Sequence, residues 1–135
     1  MAEETRERVL APKGSSVKIN LSGQSVDAFA AVHHSGAGPG LLLISDRDVL
    51  DPGIEARANL FGQEGYSVLA VSNSLSPSDI VEAAQILRDL PATETKIVAV
   101  AHGDGGMLAL QAATDAGFEA VVAFDVMPLA GENNV

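Results

Sequence analysis

Short apolar runs and amphipathic stretches alternate along most of the chain. Residues 17–21 alternate apolar and polar side chains, as a half-buried β-strand does. A turn at residues 23–25 separates them from residues 26–32, which have the pattern of a second strand. We expect the two strands to form an antiparallel hairpin. The polar residues 1–16 before it predict a flexible N-terminal arm.

Four further strands and three helices are predicted after the hairpin. The strands are residues 41–44, 66–71, 96–101 and 120–124, and continuous apolar runs of this kind indicate burial on both faces. Two helices begin at Asp51-Pro52 and Ser76-Pro77, where an N-cap residue precedes a proline at the first helical position. The third helix is expected to begin at Gly105 or Gly106 and to stop at Gly117.

This alternation predicts an α/β fold in which helices cover both faces of a mainly parallel sheet. With the N-terminal hairpin, the expected architecture is a three-layer sandwich in one domain over residues 17–135. Periodicity by itself leaves an α/β-hydrolase, a flavodoxin-like fold and half of a Rossmann fold as alternatives.

Composition narrows the possible functions. The chain has 135 residues, a net charge of −10 and no cysteine. The negative charge argues against nucleic acid and anionic membranes as partners. The absence of cysteine excludes disulfides, thiolate metal sites and a cysteine nucleophile. No signal peptide and no apolar run of about 20 residues is present, so we expect a cytoplasmic protein.

One segment, residues 96–110, resembles the nucleophile elbow of α/β-hydrolases. Such an elbow is a buried strand, a tight turn that carries the nucleophile, and a helix, with small residues two positions before and after the nucleophile. Ala101 and Gly105 hold the small positions, His102 precedes the nucleophile position, and Gly103 occupies it. We expect Gly103 to have a positive φ in this turn.

Four other segments resemble the dienelactone hydrolase family and follow one another in family order. They are residues 26–32, 38–44, 50–54 and 63–70, and with the elbow the resemblance runs from about residue 17 to residue 124. It implies a truncated α/β-hydrolase fold. It also implies hydrolysis of esters or lactones by a cysteine or serine nucleophile.

Departures from the family pattern bear on that activity. Gly103 has no side chain, no histidine follows His102, and Asp46 stands where the family often has glutamate. Loss of a triad nucleophile costs about 10⁶-fold in rate, and loss of the other triad members adds little. We therefore expect a catalytically inactive protein that acts through binding or assembly. It would need no cofactor, and a small molecule could bind at the vestigial site.

Two alternative functions remain open. In a frame shifted by one residue, Asp104 could be the nucleophile of a weak or unusual ester or lactone hydrolase, or a partner chain could supply the missing residues. Alternatively, Asp46 and Asp48 resemble the acidic cluster of receiver domains, which would make this a signalling domain.

Metal and phosphate sites are not expected. The adjacent His33 and His34 lack a third ligand. The glycine-rich turn at residues 103–106 lacks the lysine and hydroxyl residue of a phosphate-binding loop.

The resemblance also implies an incomplete sheet. In the family, further strands pair beyond the one that matches residues 120–124, and a late helix covers the sheet beside the first helix. We expect an apolar edge and an apolar face, and therefore a homo-oligomer or a protein partner that completes the sheet. The interface candidates are Ala120, Val121, Val122, Phe124, Ile54 and Phe61.

Overall fold

A single mixed sheet forms the centre of the molecule. The computed structural model describes residues 14–31, 38–90 and 93–124, apart from the side chain of Thr95. The strands in this part are β1 (Ser15–Leu21), β2 (Gln24–Ala31), β3 (Gly38–Ile44), β4 (Ser67–Val71), β5 (Thr93–His102) and β6 (Ala120–Phe124). Their order across the sheet is β1-β2-β4-β3-β5-β6. The strands β4, β3, β5 and β6 run parallel, whereas β1 and β2 are antiparallel, which confirms the predicted hairpin.

Helices cover both faces of this sheet. They are α1 (Pro52–Gln63), α2 (Pro77–Asp89) and α3 (Asp104–Ala116). The helix α1 packs through Ile54 and Ala58 on one face, and α2 and α3 pack through residues such as Ile80 and Ala109 on the other. The predicted three-layer α/β architecture is therefore confirmed. The third helix begins at Asp104, one residue before the earliest predicted start.

The helix ends are formed by the residues that the sequence indicated. Asp51 accepts a hydrogen bond from the backbone nitrogen of Ile54 at 3.0 Å. Ser76 and Asp79 form a capping box, in which each side chain accepts from the backbone nitrogen of the other at 3.2 Å. Gly117 ends α3 in the left-handed conformation, with a φ of 70°.

The hairpin turn lies one residue earlier than predicted. Ser22 and Gly23 form a two-residue turn with φ values of 52° and 80°, so Gln24 and Ser25 belong to β2. Positive φ at both central residues matches the right-handed twist of the two strands. The Ser22 hydroxyl donates to Asp79 at 2.7 Å, and the Ser22 backbone nitrogen donates to Glu82 at 3.0 Å. These bonds attach the turn to α2.

The N-terminal arm and the histidine pair are only partly within the structure. Residues 1–13 of the predicted arm lie outside the described residues, as do His33 and His34. Ser15 and Ser16, which the prediction included in the arm, are the first residues of β1. None of the three helices in the described part is long and apolar enough to cross a membrane.

The Asp79 carboxylate predicts a pH dependence of stability. Hydrogen bonds, from Ser22 first and then from Ser76, hold the pKa of Asp79 below its ordinary value. Because the pKa is lower in the folded state, the stabilisation is complete above the unfolded-state pKa and is lost as the pH falls through the folded-state value. We expect Asp79→Ala to lower the free energy of unfolding by about 1 kcal/mol at neutral pH and by less near pH 3.

Urea unfolding followed by circular dichroism at both pH values measures this difference. Asp115→Ala, at an exposed position of α3, is the control and should show little change. An equal loss at both pH values for Asp79→Ala would contradict the prediction.

Candidate functional site

The turn between β5 and α3 has the conformation of an elbow. Gly103 is the single residue between the two elements, with a φ of 55° and a ψ of −127°. Its backbone nitrogen donates to the Phe124 carbonyl at 2.9 Å, and its carbonyl accepts from Gly106 at 3.0 Å. A residue with a Cβ adopts such a backbone only under strain, whereas glycine does so at little cost. The positive φ predicted for Gly103 is confirmed.

Close packing beneath the turn explains the small residues on either side. Ala101 is fully buried. A Cβ on Gly105 would lie 2.7 Å from Ile44 Cγ2 and 2.8 Å from the Ser45 carbonyl oxygen, which is too close for any side chain. These are the small positions of a turn with Gly103 at its apex. A turn centred on Asp104 would require His102 and Gly106 there instead.

Asp46 lies against the apex of the elbow. It follows the end of β3 by two residues, and a Cβ built on Gly103 would be 2.7 Å from the Asp46 Cβ. The structure therefore brings Asp46 to the position at which the resemblance places the nucleophile. A side chain at position 103 would require Asp46 to move.

A small polar cleft opens at this point. Its volume is about 220 Å³, and its lining residues are Ser45, Asp46, Asp51, Gly53, Ile54, Arg57, His102 and Gly103. The cleft lies at the carboxyl ends of β3 and β5, where ligands commonly bind in open α/β sheets. Asp104, the alternative nucleophile, is exposed and is not part of the lining.

His102 lies between a cation and an aromatic ring. The Arg57 Nη1 atom is 2.9 Å from Nδ1 and 2.8 Å from Nε2 of His102. The Phe124 ring stacks on the imidazole, with centroids 5.3 Å apart and an interplanar angle of 19°. Arg57 was not among the sequence candidates. Its helical spacing placed it beside the apolar stripe of α1, but no sequence signal showed that this side faces the end of β5.

A larger cavity, the apolar groove, adjoins the cleft and shares Arg57 and His102 with it. Its volume is about 590 Å³, and it is lined by Arg57, Leu60, Phe61, Glu64, Val100, His102 and Phe124. Phe61 and Phe124, two of the interface candidates, thus contribute to one surface. Leu60, which is 61% exposed, was not predicted to belong to it.

The remaining interface candidates have different surroundings. Ala120 and Val122 are exposed on β6, whereas Val121 is half-buried and packs against the core on the other face. Ile54 is only 5% exposed, so its prediction as an interface residue is corrected. It faces the sheet beneath α1 and contributes to the core.

Asp46 and Asp48, the two acids of the receiver-like alternative, line different cavities. Asp48 lines a separate cavity near Ser72 and Ser74, whereas Asp46 lines the cleft at Gly103. Among the described residues no group of three or more histidines and acids is placed to hold a metal ion.

Comparison with known proteins identifies the fold through solved structures. No family model matches the chain, and no curated protein matches it. A protein named m3DLH superposes with a TM-score of 0.74 at 16% sequence identity, over 91% of this chain and 64% of its own length. The dienelactone hydrolase-like promiscuous phosphotriesterase P91, from metagenomic libraries, gives a TM-score of 0.70 at 19% identity, over 89% of this chain and 64% of its own.

A third structure agrees with these two. The dienelactone hydrolase from Anabaena variabilis has a TM-score of 0.69 at 19% identity, over 84% of this chain and 63% of its own length. The chain thus spans slightly less than two thirds of these neighbours, and the resemblance to the family is confirmed at the level of the fold. Over the part of their length that it spans, the chain has the α/β fold of dienelactone hydrolase-like proteins.

Proposed function

We propose that this chain is a dienelactone hydrolase-like protein without a catalytic nucleophile, which acts through binding or assembly. The observation that supports this most directly is Gly103 at the apex of the elbow, with Asp46 packed against it. Glycine offers no atom that could attack an ester. A larger residue at position 103 would require Asp46 to move, and this close contact supports the proposal.

The energetic consequence is large. An oxyanion hole and substrate binding alone leave a rate about 10³- to 10⁴-fold above that in water, and the nucleophile supplies about 10⁶-fold in a serine triad. The exposed Asp104 is a poor substitute, because its carboxylate lies outside the cleft that would hold the substrate. A weak hydrolase that uses Asp104 or residues of a partner chain is thus the less supported alternative.

Assembly is proposed from the edge of the sheet. The β6 strand is the last strand at its side of the described sheet, and all five of its residues are apolar. Val122 and Phe124 are 43% and 47% exposed. An edge of this kind, without a lysine or proline, favours pairing with another chain. We propose a homodimer, or a partner protein that completes the sheet, and screening at physiological salt reduces the opposing effect of the −10 charge.

The first expected result is the absence of turnover. Purified protein should hydrolyse p-nitrophenyl acetate, a γ-lactone and a phosphotriester no faster than heat-inactivated protein, because Gly103 cannot attack. The phosphotriester is included because one structural neighbour is a promiscuous phosphotriesterase. A rate above the control that disappears in Asp104→Asn would instead make Asp104 the nucleophile.

The second expected result concerns the room for a side chain at position 103. Gly103→Ala should lower the free energy of unfolding more than Gly23→Ala does, by about 1 kcal/mol or more, because only Gly103 adds a collision with Asp46 to the strain of a positive φ. Urea unfolding of both variants measures the difference. Asp46→Gly in the Gly103→Ala background should recover part of the loss. Equal losses for the two glycines would contradict the described contact.

The third tests assembly. Sedimentation at micromolar concentration should give a mass above the 13.9 kDa of one chain, because two β6 edges can pair. Val122→Lys should reduce this association, since a lysine on an edge strand opposes pairing. Leu110→Lys, on α3 at a residue 53% exposed, is the matched control and should leave it unchanged. A monomer that recovers no partner on affinity purification would contradict the proposal.

A further inference from the structure

We draw no further inference here: the strongest candidate, the cavity between the β1–β2 hairpin and the N-terminal end of α1 that is lined by the carboxylates of Asp27, Asp48 and Glu55, is a cluster of acidic side chains for which nothing in the described part of the chain points to a ligand.

Discussion

The close approach of the first turn of α3 to the end of β3 is the constraint on which the rest of the site depends. Gly105 has no room for a Cβ, because Ile44 and the Ser45 carbonyl lie against it. This packing fixes where Gly103, two residues before Gly105, reverses the chain, and it brings Asp46 to the apex. The neighbouring His102 is thereby directed toward α1, where it meets Arg57.

The distribution of helices over the sheet has a second consequence. Two helices cover one face, whereas α1 covers part of the other, and among the described residues Val122 and Phe124 of β6 are exposed on that side. The backbone edge of β6 and the side chains of the apolar groove then require different kinds of contact. The β6 backbone needs hydrogen-bond partners, which another strand can supply. The side chains of the apolar groove need contact with an apolar surface, which strand pairing does not provide.

Pairing of the β6 edge is compatible with separate contacts at the apolar groove. Antiparallel pairing of two β6 strands about a two-fold axis perpendicular to the sheet keeps equivalent faces on the same side. Two apolar grooves would then lie side by side and remain open to a small ligand. Packing of the two faces against each other would instead close both grooves. Assembly through the edge would thus leave the side chains of this face accessible, whereas assembly through the face would bury them.

The sequence by itself determined the elements and the local geometry of the elbow. Proline after an N-cap residue, apolar runs and small residues around Gly103 act over a few positions. These signals gave the order of the helices and strands and the positive φ correctly, although β3 and β5 extend beyond the predicted residues 41–44 and 96–101. The hairpin turn was displaced by one residue because Ser22, and not only a glycine, adopts a positive φ there.

Only the tertiary structure decided which apolar side chains are covered and which polar side chains lie in contact. Helical spacing showed that Ile54 and Phe61 lie on the apolar side of α1, but the position of α1 over the sheet buries the first and leaves the second at the groove. The contact of Arg57 with His102 joins residues 45 positions apart in the chain. Periodicity describes one element at a time, whereas burial and polar contacts between side chains depend on which elements the sheet order makes neighbours.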